Sequence, residues 1–86
     1  MIQIQEINAF SDNYIWCLSD INNNAIIIDP GCAEPVDRFL NENNLNLEAI
    51  LITHHHPDHI GGVHQLKSHH NCKVYGFKGA HLDFVD

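Results

Sequence analysis

The sequence predicts an α/β fold in which a meander of three short strands leads into a β-α-β-α-β run. Three observations carry this. Residues 14–18, 25–28 and 49–52 are apolar runs of strand length, rich in β-branched and aromatic side chains. Between the last two, Ala33, Val36, Phe39 and Leu40 recur at helical spacing. Asparagine-rich breaks separate the runs, and strands alternating with helices imply a sheet covered by helices.

Ile2 and Ile4 alternate with polar residues, which predicts a first strand over residues 2–7. Residues 8–13, with Ser11-Asp12-Asn13, form a turn-rich connection to the aromatic strand 14–18. Asp20-Ile21-Asn22-Asn23-Asn24 is a tight polar turn, because asparagine tolerates left-handed backbone angles. Residues 25–28 are apolar throughout and predict a strand covered on both faces. Asp29-Pro30-Gly31 breaks that strand, and Pro35 suits the first turn of the helix that follows. Asn43-Asn44 stops this helix, and residues 49–52 make the next strand. A second helix is expected from Ile60 to His69 with Val63 and Leu66 inward, ended by Asn71, before a strand at Lys73-Val74-Tyr75. Residues 76–86 close on Leu82, Phe84 and Val85 without a capping element, which reads as an interrupted domain.

Composition narrows the function classes. The formal charge is −7, and Arg38, Lys67, Lys73 and Lys78 are the only lysines and arginines. Such a surface repels a phosphate backbone or an anionic membrane, so no nucleic-acid or membrane partner is expected. No apolar stretch approaches the roughly 20 residues of a membrane span. The N-terminus lacks the basic and apolar regions of a signal peptide, so a cytoplasmic location is expected. Cys17, Cys32 and Cys72 are an odd number, widely spaced, and read as reduced thiols rather than a disulfide framework. At 86 residues the chain is one domain or a piece of one, with little core to stabilise it alone.

The chemistry concentrates in Thr53-His54-His55-His56-Pro57-Asp58-His59, followed by Ile60-Gly61-Gly62. Extended backbone sends alternate side chains to one side, so His54, His56 and Asp58 share a side and His55 points away. Pro57 biases His56 towards the extended form this needs. His59 falls at the start of the next helix, and Gly61 and Gly62 leave the backbone there unobstructed. Imidazole and carboxylate donors together suit zinc, iron or manganese, and the absence of clustered cysteine speaks against a structural thiolate site. The competing reading is a solvated histidine-rich loop with Asp58 as an ordinary helix cap. Four donors in six positions after a buried strand favour the metal. His69 stands ten residues past His59, about 15 Å along a helix, and His64 faces largely away. These two, His70 and His81 are not expected to ligate.

The pattern His54-x-His56-x-Asp58-His59 resembles the signature of the metallo-β-lactamase superfamily. Thr53-His54-His55-His56 with Gly61-Gly62 narrows the likeness to glyoxalase II, the hydroxyacylglutathione hydrolases. Supporting words are Ala9-Phe10-Ser11-Asp12-Asn13-Tyr14-Ile15-Trp16, Ile28-Asp29-Pro30-Gly31 and Ala33-Glu34-Pro35-Val36. The resemblance covers almost the whole chain and weakens after Gly76.

It implies the N-terminal part of an αββα sandwich, with residues 1–86 an incomplete domain that lacks its C-terminal remainder and a helical substrate domain. It implies two divalent metal ions, zinc ahead of iron or manganese. His54 and His56 would hold the first, and Asp58 and His59 the second. Asp58 would be the catalytic ligand beside the hydroxide that bridges the metals. Asp29 would lie beneath the site and orient ligands, its alternative being a plain turn aspartate before Pro30. Cys32 stands where the family usually carries an acidic residue. The later ligands and the glutathione contacts of the family are not visible here. The implied reaction is hydrolysis of S-(2-hydroxyacyl)glutathione, typically the D-lactoyl thioester, to glutathione and a 2-hydroxy acid. The alternatives are another hydrolase of the superfamily, acting on a lactone, β-lactam or persulfide, and an inactive metal-binding fragment.

Overall fold

The structure, a computed structural model, describes residues 2–9, 13–53 and 60–76. Five strands, β1 (Gln3–Ala9), β2 (Asn13–Ser19), β3 (Asn24–Ile28), β4 (Asn46–Leu51) and β5 (Lys73–Tyr75), form a sheet in the order β1-β2-β3-β4-β5. β1, β2 and β3 pair antiparallel, and β3, β4 and β5 pair parallel. The helices α1 (Ala33–Glu42) and α2 (Val63–His70) lie in the two crossovers and contact each other. This is the meander and β-α-β-α-β order that the sequence predicts.

Local chemistry explains the element ends. The Asp20 carboxylate accepts hydrogen bonds from the backbone N–H groups of Asn22 and Asn24, each 2.9 Å, and Asn23 turns left-handed at φ 65°. The hairpin between β2 and β3 is thereby closed by side chains that favour such turns. Pro35 occupies the first turn of α1, and Val36 and Leu40 bury one stripe of it. The helix stops where Asn43 Nδ2 donates to the Phe39 carbonyl at 2.8 Å and Asn44 adopts φ 53°. Asn71, at φ 52°, ends α2 and donates its N–H to the Lys67 carbonyl.

Three features depart from the sequence expectation. β4 begins at Asn46, three residues before the apolar run, because Asn46 and Leu47 pair with Asn24 and Ala25. A register shift after Ala25 leaves Glu48 outside the ladder, so polar residues disguise this half of the strand. Ile60 is helical, as expected, but Gly61 and Gly62 turn and α2 begins only at Val63, with the Gly62 N–H given to the Pro30 carbonyl at 2.8 Å. And β3 is not covered on both faces: Ala25 and Ile27 are buried, while Ile26 and Ile28 are only half-buried.

The reason lies in the layers. Ile15, Cys17, Ile27, Ile50 and Val74 pack with Val36, Leu40, Val63 and Leu66 of the helices in one core. On the opposite face, cross-strand register aligns two apolar rows, Ile4–Leu18–Ile26–Ala49 and Trp16–Ile28–Leu51–Tyr75. Ile4, Trp16 and Tyr75 of these rows are exposed. No disulfide joins Cys17, Cys32 or Cys72. Among the described residues no helix is long and apolar enough to cross a membrane.

Candidate functional site

Parallel pairing of β3 and β4 brings their carboxyl ends side by side, the place where open α/β sheets bind ligands. Asp29 follows β3 and turns left-handed at φ 54°, yet its N–H still bonds the Leu51 carbonyl of β4 at 2.9 Å. Aspartate is among the few residues that visit this backbone region readily. The turn swings its carboxylate across to the end of β4. There Oδ1 accepts the Thr53 backbone N–H at 2.7 Å, and Oδ2 accepts the Thr53 hydroxyl. The Asp29 residue is only 8% exposed, so these charge-assisted bonds act largely out of water. The Ile52 N–H bonds the Tyr75 carbonyl at 2.8 Å, which extends the sheet's hold beyond the last residue of β4.

Residues 54–59, which carry the predicted ligands His54, His56, Asp58 and His59, lie outside the described residues, as does His81. Both attachments of that segment are described. It leaves from Thr53, tied to Asp29, and the chain is described again from Ile60, two residues before Gly62 and its bond to Pro30. The structure therefore brings Asp29 against Thr53, the residue before the predicted ligands. The donor set has the chemistry for a divalent metal of borderline softness: three imidazoles and a carboxylate within six positions.

The remaining histidines lie elsewhere. His64 is exposed on α2. His69 Nδ1 lies 3.0 Å and His70 Nε2 2.6 Å from the two carboxylate oxygens of Asp37, so these imidazoles join the end of α2 to α1. Among the described residues no three histidine, cysteine or acidic side chains gather as a metal site. Cys17 sits within the core, where burial pushes its thiol above the ordinary range and keeps it protonated. Cys32 caps α1 without a side-chain hydrogen bond.

Two contacts escape a reading of the sequence alone. Thr53 is visible there only as the residue that opens the histidine run, and its pairing with Asp29 spans 24 residues. An aspartate just past one buried apolar run and a threonine just past the next was the signal that could have found it. Gly62 is visible as a residue without a side chain, but what lies against it, the backbone of Pro30, Cys32 and Ala33, is set by the crossover through α1.

Comparison with known proteins bears on the whole arrangement. Residues 14–85 match the family model described as the metallo-beta-lactamase superfamily. A hydroxyacylglutathione hydrolase of Photobacterium profundum is 52% identical over 77 residues, which is 88% of this chain and 31% of the relative. One from Pseudoalteromonas translucida is 52% identical over 93 aligned residues, covering 100% of this chain and 36% of the relative. The chain thus spans about a third of the length of these curated relatives. Among solved structures, the BLEG-1 B3 metallo-beta-lactamase superposes with a TM-score of 0.79 at 32% identity, over 85% of this chain and 36% of that one. ETHE1 from Myxococcus xanthus superposes with a TM-score of 0.72 at 30% identity, over 100% of this chain and 40% of that one.

Proposed function

The chain belongs to the metallo-beta-lactamase superfamily, and on that premise we propose that it supplies the N-terminal, metal-ligating part of a thioester hydrolase acting on S-(2-hydroxyacyl)glutathione. The observation that carries this reading is the 52% identity to hydroxyacylglutathione hydrolases across nearly the whole chain. His54, His56, Asp58 and His59 would hold two divalent ions, for which zinc is the leading candidate. Such ions, when bound, acidify water and polarise the scissile carbonyl. Asp29 acts beneath them: its buried carboxylate fixes Thr53, and through Thr53 the direction in which the ligand segment leaves β4. A thiol with a pKa near 8.5 departs without help from a general acid, so no further proton donor is needed.

The remaining two thirds of such an enzyme would complete the ligand set and bind glutathione. It would also cover the sheet face on which Ile4, Trp16 and Tyr75 stand exposed, turning a single helix-backed sheet into half of a sandwich. A reducing compartment such as the cytoplasm fits three cysteines without a disulfide. The test is a chimera joining residues 1–76 to the C-terminal remainder of the Photobacterium relative. Metal-dependent cleavage of S-D-lactoylglutathione, abolished by His54→Ala, is expected. A folded, metal-loaded chimera that cleaves nitrocefin or a lactone instead would overturn the substrate assignment.

A further inference from the structure

Among the described residues six large apolar side chains are exposed, and all but Ile21, in the turn between β2 and β3, stand on one face of the sheet. Ile2 lines a shallow hollow there with Leu18, Ile26 and Leu51. Ile4 opens the row that runs through Leu18 and Ile26 to Ala49. Tyr14 and Trp16, two residues apart on β2, share the face with their ring centroids 6.5 Å apart, and Tyr75 ends the row that passes through Trp16. These five side chains leave about 400 Å² of apolar surface bare. A patch of that size marks an interaction surface more often than a free one. Two such faces pressed together bury about 800 Å² before the half-buried Leu18, Ile26, Ile28 and Leu51 are added, which approaches the roughly 1,200 Å² where specific interfaces begin.

The charges on this face say how two copies meet. Register places Glu6 of β1 beside Trp16, and Lys73 of β5 beside Ala49, so an acid and a base stand on the two edge strands of the sheet. Both are exposed. Stacking two sheets about a two-fold axis parallel to the strands lays β1 of one copy over β5 of the other. Glu6 of each copy then comes within one row of Lys73 on the second copy, and the pairing occurs twice. A two-fold axis across the strands would instead set β5 over β5 and bring the two lysines together. Of the other acids at this end of the sheet, Asp20 is turned into its own hairpin by the Asn22 and Asn24 N–H groups, and Glu48 stands exposed at the rim. We propose that the face is a self-association surface: two copies of the chain stack sheet on sheet, β1 over β5, into a helix–sheet–sheet–helix dimer. The inference goes beyond the hydrolase reading and does not rest on it.

The test is sedimentation equilibrium of the 86-residue chain across the micromolar range, with the emission of Trp16, its only tryptophan, read in parallel. A reversible monomer–dimer equilibrium is expected, with the emission moving to the blue as the dimer forms. Ile4→Asp puts a charge on an exposed position of the face, spares the core, and should weaken association by about tenfold or more. Glu6→Lys and Lys73→Glu should each weaken it by about fivefold, and the two together should restore it. Arg38→Glu makes the same change in net charge on α1, behind the sheet, and should leave association within about twofold. All four substitutions fall on exposed residues, and far-ultraviolet circular dichroism checks that each variant is folded. A chain that stays monomeric throughout overturns the proposal, and a one-to-one complex with the separately made C-terminal remainder of the Photobacterium relative would then give the face to that remainder. A dimer that survives Ile4→Asp, or one that the double charge reversal fails to restore, places the contact elsewhere and overturns it as well.

Discussion

Replacing Asp29 tests most directly the link between the end of β3 and Thr53, the residue before the proposed ligands. Asp29→Ala removes the acceptor of two part-buried hydrogen bonds, from the Thr53 N–H and hydroxyl. Bonds to a charged group contribute about 1.5–3 kcal/mol each. Alanine held at the left-handed φ of residue 29 adds about 1–2 kcal/mol. The combined loss is about 4–8 kcal/mol, a large share of the roughly 5–15 kcal/mol that stabilises a typical domain. In a chain of 86 residues this leaves a large unfolded fraction even without denaturant. The asparagine variant behaves differently. Its Oδ1 can still accept the Thr53 N–H, its Nδ2 can donate to the Thr53 hydroxyl, and asparagine tolerates the turn, so Asp29→Asn should cost only about 1 kcal/mol. Urea unfolding followed by far-ultraviolet circular dichroism separates the two. Equal midpoints for Asp29→Ala and the parent chain, or equal damage from the alanine and asparagine variants, would refute the assignment of that bond pair.

Three further outcomes follow from the same contacts. The isolated 86-residue chain should hydrolyse S-D-lactoylglutathione no faster than its His54→Ala variant, and robust metal-dependent turnover would contradict the view that it carries only part of a site. Thiol labelling of the native chain at about pH 8 should modify Cys32 first. Cys17, buried and with its thiol pushed up, should react only on unfolding, which mass spectrometry of timed samples will show. The third concerns pH. The Asn24 backbone N–H chiefly, aided by that of Asn22, holds the Asp20 carboxyl below its ordinary range against a smaller opposing effect of burial. Its folded pKa lies under its unfolded one, so its contribution to stability is present above the unfolded value, about 4, and is lost as pH falls through the folded value. Asp20→Asn should flatten that acid limb of a urea-midpoint profile, and an unchanged limb would remove Asp20 from the hairpin's electrostatics.

The sequence by itself determined the element types and their order. Those are local properties. Apolar runs of strand length, a helical period through Val36 and Leu40, and left-handed asparagines at positions 23, 44 and 71 act within a few residues. The proposed donors His54, His56, Asp58 and His59 stand out for the same reason, since they fall within six positions. The start of β4 at Asn46 was hidden, since pairing with β3 and not its own composition makes it a strand. What only the tertiary structure decided is what Thr53 and Gly62, on either side of the proposed donors, are held against. Parallel pairing of β3 with β4, after a crossover through α1, sets Asp29 against Thr53 and Pro30 against Gly62 across 24 and 32 positions of sequence. No local preference encodes such distances. They arise because both strands must bury one face under the same two helices, and this packing brings their carboxyl ends together.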